Sequence, residues 1–422
     1  MTSALRHKPF ALLWGGQAFS SLGDCLYAVA IATLVLQRGA SPTALAVIMA
    51  ARAIGTTATA ALGGVLADRI TPGRAMLAAD IARAAVLAVL ALAGSVMPVA
   101  AIAALTFATG VGEAVFLPAY MALIPLVAPP AALRSANAWT SIAQRTAQVA
   151  GPVTAGGIVA AWRPQTALGV DAFTFTASIA TLAVLTRRLP AAPSDHTGRI
   201  TCAEVLAGLT EMRSRPWLAA TVAGSASHIL FGLGPLLLLL PWLAKSHATS
   251  TLPYSMLLAA FGAGSILGTS LSTRVRRTHR GVVGQAGLAT TAVAMLTLGT
   301  SAPLPCALSA MAVCGAGYSA FGVLWTTAVQ EQVPAHLLGR VAAVDTSVGL
   351  GCMPLGYLLA GTATNVLGQQ GTLLALAPVT ATCALLPLLA KGTVAYHTAQ
   401  PTSSISRGDT SAPSRATPPS AW

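Results

Sequence analysis

The chain has 422 residues, of which 55% are hydrophobic and only 8% are charged. Soluble domains normally carry about 25% charged residues, so this composition excludes a water-soluble enzyme and indicates a membrane protein. The formal net charge is +13, but the basic residues lie in short segments between apolar runs, which argues against nucleic-acid binding. The six cysteines form no CxxC pair and no cluster with histidine, so we expect no disulfide framework, no metal site and no cofactor.

The first half of the chain contains six apolar runs of the length that a spanning helix requires, about 20 residues. They predict helices near 11–36, 42–66, 75–94, 98–122, 138–161 and 166–186. The segment 1–10, with Arg6 and Lys8, resembles the start of a signal peptide. Because the first run is longer than a signal-peptide core, we interpret it as a retained helix.

The second half of the chain repeats this pattern. Apolar runs predict helices near 217–243, 253–273, 281–299, 303–328, 340–364 and 370–390. The more polar linker 187–216 separates the halves, and its segment 200–215 has the spacing of an amphipathic helix lying on the membrane surface. Residues 391–422 are rich in Ser, Thr and Pro, which predicts a disordered tail.

The basic residues predict how these spans are oriented. Eighteen of the 24 Lys and Arg residues fall on the side of the N-terminus, three fall on the opposite side and three lie within spans. Cytoplasmic loops carry an excess of Lys and Arg. We therefore predict a multi-pass protein of the inner (cytoplasmic) membrane with both termini in the cytoplasm.

An internal repeat relates the two halves. Three matches lie 204 or 205 positions apart: Gly64 with Gly268, Gly110 with Gly315, and Pro130 with Pro334. A parallel six-helix repeat is typical of two bundles that face one another across a central cavity. The sequence thus predicts an all-α membrane protein of twelve transmembrane helices, with one bundle at 11–186 and the other at 217–390.

A charged motif follows the second span. The stretch GGVLADRITPGR, residues 63–74, resembles the cytoplasmic loop signature of the major facilitator superfamily. Three residues separate Arg69 from Gly73, more than in the usual pattern. The resemblance implies an inner gate in which Gly64 permits close helix packing and Asp68 is the gating acid. Its cations would be Arg69, Arg74 and, from the later stretch QEQVPAHLLGRVAAV, Arg340.

Further stretches narrow the resemblance. GDCLYAVAI contains Asp24, ADIARA contains Asp80 and Arg83, and GPVTAGG is similar to the antiporter signature of drug exporters. Carried over to this chain, that signature covers Gly151, Pro152 and Gly156. Together they resemble the proton-coupled exporter branch that includes macrolide and siderophore efflux pumps.

Charged groups within spans are costly and therefore point to function. Asp24 and Arg52 lie at similar predicted depth, so we expect them to pair, with protonation of Asp24 breaking the contact. His228 occupies the position equivalent to Asp24 in the second half and is a second candidate for proton coupling.

The other span residues that ionise have several interpretations. Asp80 and Arg83 are spaced i,i+3 and predict a structural pair. Glu113 and Arg145 form a buried pair or line the transport path, and the sequence does not separate these alternatives. Asp171 and Asp345 lie near span ends, where we expect them to reach water.

Taken with the resemblance, these features predict a secondary transporter that exports an antibiotic, a siderophore or a similar amphipathic small molecule by proton antiport with alternating access. The expected partners are the small-molecule substrate, protons and the lipid bilayer, and we expect a monomer. An importer or uniporter of a small nutrient remains an alternative on the same fold. A membrane enzyme is a remote one, because the chain has neither a Ser/His/Asp set nor a Walker A loop.

Overall fold

The computed structural model describes residues 4–69, 71–188, 214–245 and 252–396. Within these ranges it leaves out the side chains of 60–69 and of a few other positions, Arg340 among them. The described residues are almost entirely helical and include no β-strand. The amphipathic helix predicted near 200–215 lies almost wholly outside them.

Six helices form the first half of the molecule. They are α1 (Lys8–Gln37), α2 (Pro42–Arg69), α3 (Pro72–Ala93), α4 (Val99–Val127), α5 (Leu133–Ala161) and α6 (Pro164–Arg188). Proline stands at the first position of α2, α3 and α6, where its missing N–H costs no helical hydrogen bond. Helix α2 runs three residues further than predicted, so the first part of the charged motif is helical rather than a loop.

The second half begins with α7 (216–245), in which a π-helical turn at Ile229–Leu233 separates two α-helical parts. It continues with α8 (Leu252–Ser272), α9 (Arg280–Gly299) and α10 (Leu304–Gln332). A last helical stretch, Ala335–Leu385, is broken at Gly368, whose φ of 68° is unfavourable for other residues. The break divides it into α11 (335–367) and α12 (369–385).

Length explains the break at Gly368. An unbroken helix of 51 residues would be about 77 Å long, more than twice the hydrocarbon thickness of about 30 Å. In the described part of the chain, nine helices are long and apolar enough to cross a membrane, with this last stretch taken as one. The helical membrane fold is thus as predicted, while the number of twelve spans stays a prediction.

Glycines set the closest helix contacts in both halves. A Cβ atom at Gly110 of α4 would overlap the carbonyl oxygen of Arg52 in α2. A Cβ at Gly315 of α10 would likewise overlap the carbonyl oxygen of Phe261 in α8. Small residues allow membrane helices to approach this closely. Because Gly110 and Gly315 are matched by the internal repeat, the packing of the two halves agrees with it.

The two halves meet along two seams, one between α2 and α11 and one between α5 and α8. In the first seam, the Thr43 hydroxyl donates to the Gly361 carbonyl at 2.7 Å. In the second, a Cβ at Gly156 would overlap the Ser255 hydroxyl.

The helix bundle has two ends, named here for later use. The basic end carries the α2–α3, α4–α5 and α10–α11 connections. The opposite end carries the α1–α2 and α3–α4 connections, which are joined by a hydrogen bond from Arg38 Nη1 to the Gly94 carbonyl at 3.1 Å. A buried apolar cluster that includes 26–35 of α1 and 236–244 of α7 joins both halves near the opposite end.

Residues 391–396, which the composition assigned to a disordered tail, are ordered. They fold back onto the start of α9, where the Gly281 amide donates to the Val394 carbonyl at 3.0 Å. Tyr396 is only 1% exposed, and its ring centroid lies 5.9 Å from that of Trp217. The buried side chain of Tyr396 thus anchors this segment. The composition of the surrounding sequence, which is rich in Ser and Thr, gave no indication of this contact.

Candidate transport site

A cavity of about 980 Å³ lies between the two halves. Helices α1 and α5 line it on one side, and α7, α8, α9, α10 and α11 line it on the other. Most of its lining residues come from the middle of these helices or from their basic-end portions, whereas the apolar cluster fills the opposite end, where Leu237 and Leu258 form the floor of the cavity. The cavity therefore lies on the side of the basic end.

By surface area the cavity wall is mainly apolar and aromatic, although nearly half of its lining residues carry a polar or charged side chain. Phe261, Tyr318 and Trp325 are among its aromatic side chains. The Trp325 indole N–H donates to Asp345 Oδ2 at 2.9 Å, which gives this carboxylate a fixed partner in the wall. Asp345 is half-buried and faces the cavity. We expected it to reach water from the end of its helix, whereas its exposed part lies in the cavity wall. Ligand sites commonly combine an apolar surface with a few fixed polar groups.

Asp24 is the acid that the first half contributes to the cavity. Its side chain is 35% exposed, and it is paired with Arg83 of α3, whose side chain is only 5% exposed. The predicted pair of Asp24 with Arg52 is therefore wrong. Depth along a helix was read correctly, but Asp24 points towards α3 rather than towards α2.

Arg83 is held by several neighbours besides Asp24. Its Nη1 atom lies 3.9 Å from Asp80 Oδ1, as the i,i+3 spacing predicted. The guanidinium lies 4.6 Å from the ring centroid of Phe175, a cation–π arrangement. A Cβ at Gly112 would overlap the aliphatic part of Arg83, so the glycine makes room for it.

Arg52 belongs to a different ion pair. Its guanidinium contacts Glu113 of α4 at 3.3 Å and lies 4.5 Å from the ring centroid of Tyr27. This settles the alternatives for Glu113 and Arg145. Glu113 pairs with Arg52, while Arg145 lines the cavity and forms no ion pair with any described residue.

His228 lies in the cavity wall at the end of the first part of α7, directly before the π-helical turn. It has no exposed surface, and its Nε2 atom is 2.9 Å from the Thr291 hydroxyl. The turn leads into Pro235, whose ring cannot make the regular helical hydrogen bond. Turns of this kind are frequent at functional sites.

The exposure of Asp171 differs most from what the sequence predicted. We expected it to reach water, but it has no exposed surface. Neither carboxylate oxygen accepts a hydrogen bond from a described residue. Proximity to a span end was misleading because α6 packs against both α1 and α3, which cover this side chain.

Comparison with known proteins gives the family. The chain matches the transmembrane secretion effector family over residues 1–410. It belongs to this family of the major facilitator superfamily. The curated relatives include the multidrug efflux pump Tap of Mycolicibacterium fortuitum, which is 26% identical over 94% of this chain and 96% of its own. Macrolide efflux protein A of Streptococcus pyogenes is 24% identical over 85% of this chain and 90% of its own.

A solved structure agrees on the fold. A bacterial homologue of the iron transporter ferroportin, in its inward-facing state, superposes with a TM-score of 0.68. The match covers 92% of this chain and 98% of that one at 16% identity. At this identity the likeness shows the major facilitator fold and nothing about the substrate.

The stretch of this transporter that resembles the antiporter signature lies where helices meet. Gly151 faces α1, where a Cβ would overlap the Cys25 side chain, and Gly156 lies in the seam with α8. Pro152 lines the cavity between them. The motif thus lets α5 pack closely against α1 of its own half and against α8 of the other half.

The structure locates the predicted inner-gate residues only in part. Gly64, Asp68 and Arg69 belong to the last turns of α2, and Arg340 belongs to α11, but their side chains lie outside the described residues. Arg74 is in the first turn of α3 and is exposed. The role of these residues as a gate stays a prediction.

Proposed function

We propose that this transporter exports an amphipathic small molecule, such as an antibiotic or a siderophore, from the cytoplasm by proton antiport with alternating access. The observation that carries the proposal is the cavity between the two halves, with the Asp24 carboxylate exposed in its wall. Two of the curated relatives, Tap and macrolide efflux protein A, are named as efflux proteins, which favours export.

The position of the cavity supports the proposed direction. With the basic end in the cytoplasm, as the positive-inside rule predicts, the cavity would receive substrate from the cytoplasm. The packed apolar cluster would close the external side. Export then requires the two halves to separate at α1 and α7 and to close at the basic end.

The lining supports an amphipathic substrate. Aromatic and aliphatic side chains offer burial to an apolar ring system, and Asp24, Arg145 and Asp345 offer both signs of charge. A cavity of about 980 Å³ is large enough for a drug-sized molecule.

The ion pair between Asp24 and Arg83 supports proton coupling. Protonation of Asp24 removes the negative charge that attracts Arg83, which then has Asp80 as its remaining carboxylate. A proton and a cationic substrate would thus compete for one carboxylate within a monomer. His228 stays the second candidate for coupling, but its full burial and its contact with the Thr291 hydroxyl make Asp24 the favoured one. A part for Gly64, Asp68, Arg69, Arg74 and Arg340 in gating remains a prediction.

The test uses ethidium and a macrolide in proteoliposomes that hold the purified full-length protein under an imposed pH gradient. We expect wild-type protein to move both probes against their gradient when the lumen is acidic. The Asp24→Asn variant should lose this response because its side chain no longer titrates. The Glu331→Gln variant is the matched control, since Glu331 is bound to Arg277 and Arg280 and does not line the cavity.

Three results would contradict the proposal. Uphill transport by Asp24→Asn at the wild-type rate would remove Asp24 from coupling. Uptake in the same direction as the proton would favour the importer. Transport that ignores the gradient would favour a uniporter.

A further inference from the structure

A polar stripe runs along α6 from the half-buried Thr181 to the fully buried Asp171. Its members are spaced three or four residues apart and therefore share one face of the helix: Asp171, Thr174, Ser178 and Thr181. Asp171 and Ser178 have no exposed surface, and Thr174 is 5% exposed. Such a buried row of polar side chains has a cost in a membrane protein and needs an explanation.

Two glycines of α1 accommodate this stripe. A Cβ at Gly16 would overlap the Thr181 hydroxyl, and a Cβ at Gly23 would overlap Asp171 Oδ1 and the Thr174 hydroxyl. Gly23 directly precedes Asp24, which lines the cavity. Asp171 therefore lies against the backbone of α1 next to Asp24. Asp171 itself is not a lining residue of the cavity.

The other end of the stripe connects to the charged groups of α3. The Ser178 hydroxyl donates to Asp80 Oδ2 and accepts from Gln17 Nε2 at 2.7 Å. Asp80 contacts Arg83, and Arg83 is bound to Asp24. Asp80 and Asp24 thus both have partners, whereas the Asp171 carboxyl has none among the described residues.

The surroundings of Asp171 contain more acids than bases. The charges that act on it are those of Asp24 in α1, Arg83 in α3 and Arg52 in α2. Arg52 forms an ion pair with Glu113 of α4, and Arg83 forms an ion pair with Asp24. Among the described residues, the other titratable groups close to these charges are Asp80 of α3 and the uncharged side chains of Cys25 and Tyr27 in α1. Arg145 of α5 does not act on Asp171.

A buried carboxylate without a hydrogen bond or a cation is so unfavourable that the group takes up a proton instead. We propose that Asp171 is a proton-binding site of this transporter, separate from the substrate cavity, and that it holds a proton while Arg83 is paired with Asp24. When Arg83 leaves Asp24, the proton passes from the Asp171 carboxyl to the Asp24 carboxylate. Asp171 is then the anion and attracts Arg83, so the number of bound protons is one before and after.

This inference rests on the proposed proton antiport but adds a distinct element. Substrate in the cavity would meet Asp24, while the exchanged proton would be stored one helix further away, behind Gly23. Substrate and proton would therefore compete for the Asp24 carboxylate, with the substrate arriving from the cavity and the proton arriving from Asp171 in α6.

Infrared spectroscopy of the purified full-length protein in H₂O and D₂O tests the proton directly, because a protonated carboxyl has its own carbonyl band. We expect such a band at neutral pH in wild-type protein and a loss of band area in Asp171→Asn. Glu331→Gln should keep the band, because Glu331 is an exposed residue of α10 whose partners are Arg277 and Arg280. Gly23→Ala should shift the band, since its Cβ crowds Asp171 Oδ1.

Transport by the same proteins tests the exchange. Asp171→Asn should bind ethidium as wild type does but lose the response of efflux to the pH gradient, and Asp171→Glu should restore part of it. Absence of a protonated-carboxyl band in wild-type protein would refute the site even if Asp171→Asn does not fold. A band lost in Asp171→Asn with gradient-driven efflux intact would refute the exchange. If Asp24→Asn keeps its gradient response, Asp24 takes no part in coupling and the exchange with Asp171 is refuted. If wild-type protein shows no gradient response, the antiport itself is refuted. In either case the band still decides whether Asp171 holds a proton.

Discussion

The ion pair between Arg83 and Asp24 makes a quantitative prediction for stability. Replacing Arg83 by Gln removes the cation from two carboxylates at once, Asp24 and Asp80. Breaking a buried pair by deleting one partner costs about 3–5 kcal/mol. Because Asp24 is 35% exposed to the cavity, solvent screening lowers the expected loss in the free energy of unfolding to about 2 kcal/mol.

The partner substitution should cost less. Asp24→Asn keeps an amide oxygen that can accept from Arg83, and Arg83 retains Asp80, so we expect a loss of about 1 kcal/mol. In the double variant the two losses should overlap, because the Arg83→Gln change no longer leaves a carboxylate unpaired at Asp24. The expected coupling energy is therefore about 1 kcal/mol.

Unfolding titrations of all four proteins in detergent measure this cycle. Cys314 is a suitable reporter once the other five cysteines are replaced, because its side chain has no exposed surface and its thiol should react only on unfolding. If the two single losses add to within about 0.5 kcal/mol, the residues do not interact and the assignment of Arg83 to Asp24 is refuted.

Two further substitutions test packing and coupling. Gly110→Ala should reduce the yield of folded protein, because its Cβ would overlap the Arg52 carbonyl oxygen, whereas Gly157→Ala, with nothing within 4 Å, should match wild type by gel filtration of a fluorescent fusion. Equal yields would contradict the close seam between α2 and α4. His228→Asn should keep gradient-driven ethidium efflux, because His228 is fully buried and its observed partner is the Thr291 hydroxyl rather than a carboxylate. Loss of the gradient response would instead assign coupling to His228.

The helical architecture was predictable because it depends on the sum of many residues. A run of about 20 apolar side chains marks a spanning helix whatever its neighbours are, and the helix positions agree with the predicted runs to within a few residues. The largest differences are of five residues and lie mainly at the basic end, as at the end of α4 and at the start of α5, where polar residues begin the helix before the apolar run.

The partners of the buried charges were much less predictable. Sequence gives the depth of Asp24 and Arg52, but pairing also depends on which face of each helix meets which neighbour. Helix α2 packs chiefly on α4, so Arg52 meets Glu113, while α1 packs on α5 and α6 and sends Asp24 towards Arg83 of α3. The buried state of Asp171 was hidden for the same reason. The polar stripe at 171–181 was the one signal in the sequence that could have revealed it.

The ordered segment after α12 has a practical consequence for anyone who works with this protein. Tyr396 fits among Trp217 and Trp325, and Trp325 in turn holds Asp345 in the cavity wall. A purification tag or a truncation placed before this tyrosine would remove an aromatic support of the cavity itself. Expression designs that join a tag beyond residue 396 leave that support in place, and functional assays made with them report on the intact cavity.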